Sequence, residues 1–337
     1  MTLKKFNKAL FVGVLAASMG LTACGGSDET VNLKASHQWP GGKGDMRDVM
    51  VQMIAEDAKA ANVGLSIQVY PGKSLFKPKE QFGAMVDGNL DMTAFPLAYA
   101  GGRHPELNLT LMPGLVKNHD HAMRLSKSPF MDRIKKILDD AGVIVLSDTW
   151  MAGGFVSKKG CIGGPDSVKG QQFRAAGKAF NEMLAAAGAS ITSMPSSEIY
   201  SGLQTGVLDG ANTSSASLVS YRIYEQVKCL TAPGKTALWF MYEPILMSKA
   251  KFESLNKAQQ DALIAAGKKA EEFAFAEAKN MDAKLVETYK QAGVKVVEMT
   301  QAEFNAWREI AKTSSYKNFA EKVEGGSELL DMALAVE

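Results

Sequence analysis

Residues 198–214 read EIYSGLQTGVLDGANTS, and residues 80–94 read EQFGAMVDGNLDMTA. Set side by side without gaps, Glu198, Tyr200, Leu203, Gly206, Leu208 and Asp209 fall on Glu80, Phe82, Met85, Gly88, Leu90 and Asp91. The sequence before each copy repeats too. NLKASHQW (32–39) has strand character, and GDMRDVMVQMIAEDAKAAN places Met46, Val49, Met50, Met53 and Ile54 at helical spacing. LSIQVYP (65–71) alternates like a strand, KPKEQFGAMVDG reads as a short helix stopped at Gly88, and LDMTAFP as the next strand. In the second half QQFRAA (171–176) is a strand, AFNEMLAAAG a helix closed by Gly188, and ASITSMP a strand ending in Pro195. Ser196 or Ser197 can cap the repeated helix, Glu198 suits its first turn, Gly206 stops it, and VLDGANTS is the third strand. Strand, helix, strand, helix, strand with short connections predicts parallel pairing in a right-handed βαβαβ unit.

The expected fold is therefore α/β, with two lobes wound alike. The repeated segment is the second crossover helix of each, and its role is structural: the glycines stop, the leucines pack and the aromatic anchors. Open parallel sheets take ligands at the carboxyl ends of their strands. Two such lobes facing each other make a cleft suited to a small molecule. Beyond residue 250 the long alanine-rich stretch LNKAQQDALIAAGKKAEEFAFAEAKNMDAKLVETYKQAG predicts a helix long enough to brace both lobes. VKVVEM follows as a short strand, and helices run to the end.

The chain opens MTLKKFNKALFVGVLAASMGLTAC. Lys4, Lys5 and Lys8 precede an apolar run, Ala9 to Leu21, too short to span a bilayer, which predicts an export signal over residues 1–23. Leu21-Thr22-Ala23-Cys24 looks like a bacterial lipobox, making Cys24 the expected lipidated first residue, and residues 24–31 form a tether. The expected mature body is soluble, periplasmic and held to the membrane only through that lipid. Removing three lysines from a formal charge of +2 leaves −1, and no basic stripe interleaves with aromatics, so nucleic acid is not an expected partner. Cys161 and Cys229 remain, either bridged, as an oxidising compartment permits, or two separate buried thiols.

Signals of catalysis are scarce. GxSxG, HExxH, CxxC and a phosphate-cradling glycine loop are all missing, so no enzyme, cofactor or metal is expected. His119 and His121 flank Asp120 at a polar boundary that reads as a solvated face. His37 lies at a strand end, without partners for a catalytic set. Arg174 is the candidate that stands out, on an apolar strand between Phe173 and AAG. A charge there needs a partner. Either it pairs with a carboxylate of the chain, such as Glu198 or Asp209, or its guanidinium clamps a ligand carboxylate or sulfonate. Trp39, Phe95, Trp150 and Trp239 cluster near predicted strand ends, as core or as the lining of an aromatic pocket. Gln38 lies between His37 and Trp39, and Asn212 and Ser214, just past the third strand of the second lobe, can donate into the cleft.

VKGQQFRAAG followed by SSEIYSGLQTGVLDGANTS, with YPGKSL and EQFGAMVDGNLDM in the first half, resembles the DctP-type solute-binding proteins of TRAP transporters over essentially the whole mature chain. The resemblance implies a type II periplasmic-binding fold whose lobes close on an organic acid. Lobe I takes residues 32–150 and 240–280. Lobe II takes 151–239 and 281–337, with the spanning and C-terminal helices. It implies that Arg174 is the carboxylate-binding arginine, that Asn212 sits at or beside a second polar contact, and that a membrane permease is the partner, with no ATP used by this subunit. One departure stands out. Many members carry another arginine where this chain reads DTWMAGGFVSKKG, with Gly153 and Gly154 near that position. A missing second cation argues against a dicarboxylate held at both ends and for a monocarboxylate with a hydrophobic or aromatic body. Small sulfonates, hydroxy or keto acids and dicarboxylates stay open, as does a sensory or ABC-type role.

Overall fold

The computed structural model describes residues 30–337. The expected export signal, Cys24 and the tether as far as residue 29 lie outside the described residues. Val31, assigned to the tether from sequence, is the first residue of a strand. In chain order the strands are β1 (Val31–Ser36), β2 (Leu65–Tyr70), β3 (Met92–Ala94), β4 (Val143–Ser147), β5 (Trp150–Ser157), β6 (Gln172–Ala175), β7 (Ser190–Ser193), β8 (Gly210–Ser214), β9 (Cys229–Ala232), β10 (Trp239–Tyr242), β11 (Ile245–Ser248) and β12 (Lys295–Glu298).

They form two sheets. The first runs β2-β1-β3-β11-β4, with β1 parallel to β2 and β3, and β11 antiparallel to β3 and β4. The second runs β12-β9-β5-β8-β6-β7, with β10 paired to β5. Here β6 is parallel to β7 and β8, and β5 is antiparallel to β8 and β9. The chain crosses between sheets at Asp148-Thr149 and again at Glu243-Pro244. The Glu243 N–H donates to the Thr149 carbonyl at 2.8 Å, so the two crossings are stitched together.

The repeated segment does the same work in both lobes. Helices Gln81–Val86 and Ile199–Gln204 each follow a 3₁₀ turn, at Pro78–Glu80 and Ser196–Glu198. Gly88 and Gly206 sit at φ 75° and 80°, a region a side chain would oppose. Leu90 N–H then closes on Ala84 O, and Leu208 N–H on Gly202 O, at 3.0 and 2.9 Å. The repeated aspartate has a role that sequence reading missed. Asp91 Oδ2 accepts from the Lys34 N–H at 2.7 Å, and Asp209 Oδ2 from the Gln172 N–H at 2.8 Å. Each carboxylate stands just before the third strand of its unit and ties it to the first.

Two local expectations change. Neither Ser196 nor Ser197 caps the repeated helix through its side chain, because Pro195 enters the 3₁₀ turn directly. The third strand starts only at Gly210, since Val207 to Asp209 are taken up by the turn that ends the helix.

Helix Lys257–Gln291 runs along both lobes, opened by a capping box between Asn256 and Gln259. Near its start Gln259 Nε2 donates to Val63 and Gly64 carbonyls at 3.2 Å, and Gly267 lies against the Leu146 carbonyl, where a Cβ would collide. Near its end Leu285 and Tyr289 enter the apolar core around β8 and β9, and Tyr289 O–H donates to Leu218 O. Cys161 and Cys229 form a disulfide that joins the loop after β5 to the start of β9. Among the described residues no helix is long and apolar enough to cross a membrane.

Candidate functional site

Arg174 leaves β6 at its carboxyl end and is fully buried. Nε donates to Met194 O at 3.0 Å, Nη1 to Asn212 O at 2.6 Å, and Nη2 to the Tyr99 hydroxyl at 3.0 Å. A guanidinium has five N–H donors. Three are used, which leaves one N–H on each terminal nitrogen. None of its partners is anionic. Glu198 and Asp209, the carboxylates that could have neutralised it, are elsewhere: Asp209 holds Gln172 N–H and Lys159. Burial pulls the Arg174 pKa below its ordinary value, opposed by Tyr99 and Glu243. The group stays protonated near neutral pH, so a full positive charge sits in the interior without a contacting counter-ion among the described residues.

A second buried arginine, Arg47, escaped the sequence reading. It opens helix Met46–Ala60 in the first lobe, and all five of its N–H donors are taken. Nε and Nη2 hold Asp45 at 2.8 and 2.7 Å, Nη1 holds Glu243 at 2.6 Å and Ser214 Oγ at 2.8 Å, and Nη2 also reaches Ser217 Oγ at 3.1 Å. Burial would lower the Arg47 pKa, but Asp45 and Glu243 together raise it above the ordinary arginine value. Burial pushes Asp45 up, yet Arg47 outweighs it and the carboxyl ends below its usual range. For Glu243 burial wins over Arg47, and its pKa is raised.

Two of the sequence-nominated residues belong to this network. Trp39 Nε1–H donates to Ser217 Oγ at 3.2 Å, and the Arg47 guanidinium lies 3.9 Å over its ring. Ser214 accepts from Arg47 and caps helix Ser215–Ser220. Their polar atoms are engaged within the protein. Phe95 is buried and holds the Tyr99 ring edge-on at 6.1 Å.

The other four carry polar atoms with no partner among the described residues. They are both amide atoms of Gln38, both of Asn212, and the indole N–H groups of Trp150 and Trp239. All four residues are at most 2 % exposed. Register puts Trp239 and Asn212 on one face of the second sheet and Trp150 on the other. Gly153 of β5 faces Ser214 of β8 on one side and Trp239 of β10 on the other, Trp150 is three residues earlier in β5, and Asn212 two residues before Ser214. Gln38 is brought to the second lobe by its carbonyl, which accepts from Tyr221 O–H at 2.8 Å. Gly153 and Gly154 cannot carry side chains: a Cβ would strike Thr213 O and the Trp239 ring at the first, Thr231 O at the second.

The histidine pair is structural. His119 Nε2 bonds to Asp282 at 2.6 Å, and His121 bonds to Lys117 N–H and Val336 O. Among the described residues no group of three or more His, Cys, Asp or Glu could hold a metal. A groove of about 530 Å³ opens on the first lobe, lined by Phe76, Lys79, Phe82, Tyr99 and Arg103 among others. It touches the Arg174 site only through Tyr99.

Residues 36–322 match the DctP family, bacterial extracellular solute-binding protein, family 7. The chain belongs to this family. A solute-binding protein of Albidiferax ferrireducens is 40% identical over 309 residues, covering 90% of this chain and 91% of the relative. The crystal structure of a TRAP periplasmic solute-binding protein from Rhodoferax ferrireducens, with bound malonate, is 40% identical, superposes with a TM-score of 0.86, and covers 89% of this chain and 96% of that one. The C4-dicarboxylate-binding periplasmic protein DctP of Rhodobacter capsulatus is 26% identical over 321 residues, covering 93% of each chain. The expected architecture, two α/β lobes of a periplasmic binding fold with a long helix along both, is the one observed.

Proposed function

We propose that this chain is the periplasmic solute-binding subunit of a TRAP-type transporter, that it captures a small organic acid between its lobes, and that it delivers the acid to a membrane permease. The observation that carries the reading is Arg174: a buried guanidinium with one free N–H on each terminal nitrogen and no carboxylate in contact. A buried unpaired charge costs several kcal/mol, and a ligand carboxylate offsets that cost with charge-assisted hydrogen bonds. The unpartnered Gln38 and Asn212 amides and Trp150 and Trp239 indole N–H groups are the candidates for meeting polar substituents on the rest of the ligand. The ligand we favour is a monocarboxylate with a compact, partly aromatic-walled body bearing hydroxyl or keto oxygens. Capture involves no chemical conversion. The acid binds the closed form better than the open one and shifts the population toward it.

A second reading, a small dicarboxylate, is favoured by the malonate in the 40% identical Rhodoferax protein. In this chain the second carboxylate would meet neutral indole and amide donors rather than a cation, because Gly153 and Gly154 leave no room for one. Thermal unfolding of residues 32–337 against malonate, hydroxy and keto acids, aromatic acids and small sulfonates tests both. Ligand at about 100 times its Kd adds about 2.7 kcal/mol, a shift of several degrees. A shift that persists unchanged in Arg174→Ala removes the site assignment. Absence of any shift, with no acid extracted from the purified protein, removes the function.

A further inference from the structure

Tyr99 lies in the 3₁₀ turn Leu97–Ala100, just beyond the carboxyl end of β3 in the first lobe. Its hydroxyl oxygen crosses to the second lobe and accepts two hydrogen bonds there, from Arg174 Nη2 and from the Ser196 backbone N–H, both at 3.0 Å. Ser196 opens the turn before the repeated helix, so its N–H has no partner inside that turn. Both acceptor positions of the phenol oxygen are therefore filled, and its own O–H proton is bonded to nothing among the described residues. That proton is the third free donor at the guanidinium, beside the two N–H groups that Arg174 leaves unused.

We infer that Tyr99 is a ligand-contacting latch: its O–H donates to the carboxylate held by Arg174, while its oxygen pins the first lobe to the second. The inference rests on the reading of Arg174 as the carboxylate clamp. The chemistry favours an anionic oxygen in this position. A carboxylate has lone pairs enough to accept from two N–H groups and one O–H at once, whereas a neutral amide oxygen cannot take all three with good geometry. The placement also makes closure depend on occupancy. With Arg174 neutralised by a ligand, the Tyr99 oxygen, the guanidinium and the Ser196 amide are held in one array that spans the lobes. Without the anion, the array contains an uncompensated charge. The Tyr99 ring is half-buried, rests edge-on against Phe95, and also lines the open groove with Lys79 and Arg103. It can therefore swing with its own lobe while the hydroxyl breaks away from the other. Lys79 Nζ reaches Ser193 Oγ at 3.3 Å across the same edge, so the contact belongs to a seam.

Tyr99→Phe removes one oxygen and keeps the ring on Phe95. Two readouts on this variant decide the matter. The first needs no ligand: hydrogen exchange of the Ser196 amide in the full mature chain, expected to speed up by about tenfold or more. The second is the Kd of whichever acid among malonate, lactate, pyruvate and benzoate binds the wild type most tightly, expected to weaken by about tenfold or more. The methyl amide of that acid should lose less than the acid does. Unchanged Ser196 exchange overturns the latch. Faster exchange with an unchanged Kd overturns the ligand contact. A merely structural tyrosine would lower the unfolding temperature and leave the difference between acid and amide as it was. If the wild type binds none of the acids and no acid is extracted from it, the transport reading fails instead; if Arg174→Ala binds as well as the wild type, the clamp assignment fails; in both cases Ser196 exchange alone still decides whether Tyr99 joins the lobes.

Discussion

Arg47 and Arg174 are both fully buried, and both have partners in the second lobe, yet they are opposite kinds of residue. Arg47 has every N–H engaged and two carboxylates in contact. Arg174 has neutral partners only and two N–H groups left over. The first is a closed electrostatic unit that joins the first lobe, the second lobe and the strand crossing at Glu243. The second is an incomplete unit. The difference teaches how to tell a structural arginine from a receptor arginine when burial is the same for both: count the donors and ask where the negative charge is. The Arg47 unit leaves little for a ligand to add. The Arg174 unit has a positive charge that no carboxylate contacts among the described residues.

The comparison breaks most easily at Arg47. Arg47→Met strands Asp45 and Glu243 as buried, unpaired carboxylates, and removing one partner of a buried pair costs about 3–5 kcal/mol. Urea denaturation of the ligand-free chain should show a loss of that order. A loss below about 1 kcal/mol would mean that Arg47 is not a structural unit and that the contrast with Arg174 is wrong.

Arg174→Met should give the converse result. Its removal takes a lone charge out of the interior but leaves the Met194 and Asn212 carbonyls without its N–H groups, so ligand-free stability should fall by about 1–3 kcal/mol, less than in Arg47→Met. Binding should suffer more. Losing the charged partner of a buried carboxylate costs about 2–5 kcal/mol, or about 30-fold to several-thousand-fold in Kd. Calorimetric titration with the tightest acid of the panel checks it. A variant that loses stability but binds normally would exchange the roles of the two arginines.

How far the sequence carried the reading follows the same contrast. Arg174 was legible because QQFRAAG puts a charge in an apolar strand, a conflict visible within seven residues. Arg47 was not, because GDMRDVM reads as the charged start of an amphipathic helix. Its partners Ser214 and Glu243 stand 167 and 196 residues away, so only the fold reveals that this face is buried. Tyr99 sits in LAYAGG, an ordinary loop by composition, and its role depends on the lobes meeting. The repeated helices were legible from Gly88, Gly206 and the spaced apolar positions, which are local signals. The bonds of Asp91 to Lys34 and of Asp209 to Gln172 were not, because a carboxylate that ties two strands leaves no periodic trace. Trp39 and Ser214 were nominated from position, but periodicity and position say nothing about which hydrogen bonds are already made, and both are engaged with Arg47 and Ser217.

Glu243 lets the comparison be sharpened, since it contacts Arg47 and acts on Arg174 only through space. Glu243→Gln keeps the shape and one acceptor for Arg47 while removing a negative charge from the neighbourhood of the ligand carboxylate. Affinity for an anion should improve by about fivefold, close to 1 kcal/mol, at a modest cost in ligand-free stability. Calorimetry on the same acid reads the first effect. Weaker binding in this variant would mean that Glu243 positions the ligand directly rather than setting the local charge.

The smallest effect concerns pH, and it separates the two arginines without any ligand. The Asp45 carboxyl is pushed up by burial but held below its ordinary value by Arg47. A depressed carboxylate contributes stability that is present above its unfolded pKa and lost as pH falls through the folded one. Glu243 is raised, so it has the opposite sign, and its contribution is lost as pH rises through the folded value. Arg174 touches only carbonyls and a phenol, and acts on the Glu243 carboxyl only through space, pulling its pKa down. Asp45 should therefore lower urea midpoints towards acid between about pH 3 and pH 6 in the wild type and in Arg174→Met alike, the two curves departing only where Glu243 titrates. In Arg47→Met the Asp45 part of that fall should vanish, because burial without the guanidinium favours the protonated carboxyl. Three parallel curves would show that Asp45 does not report on Arg47. Loss of the acid limb in Arg174→Met alone would show that the carboxylates of the cleft answer to Arg174, and that the two charges form one system.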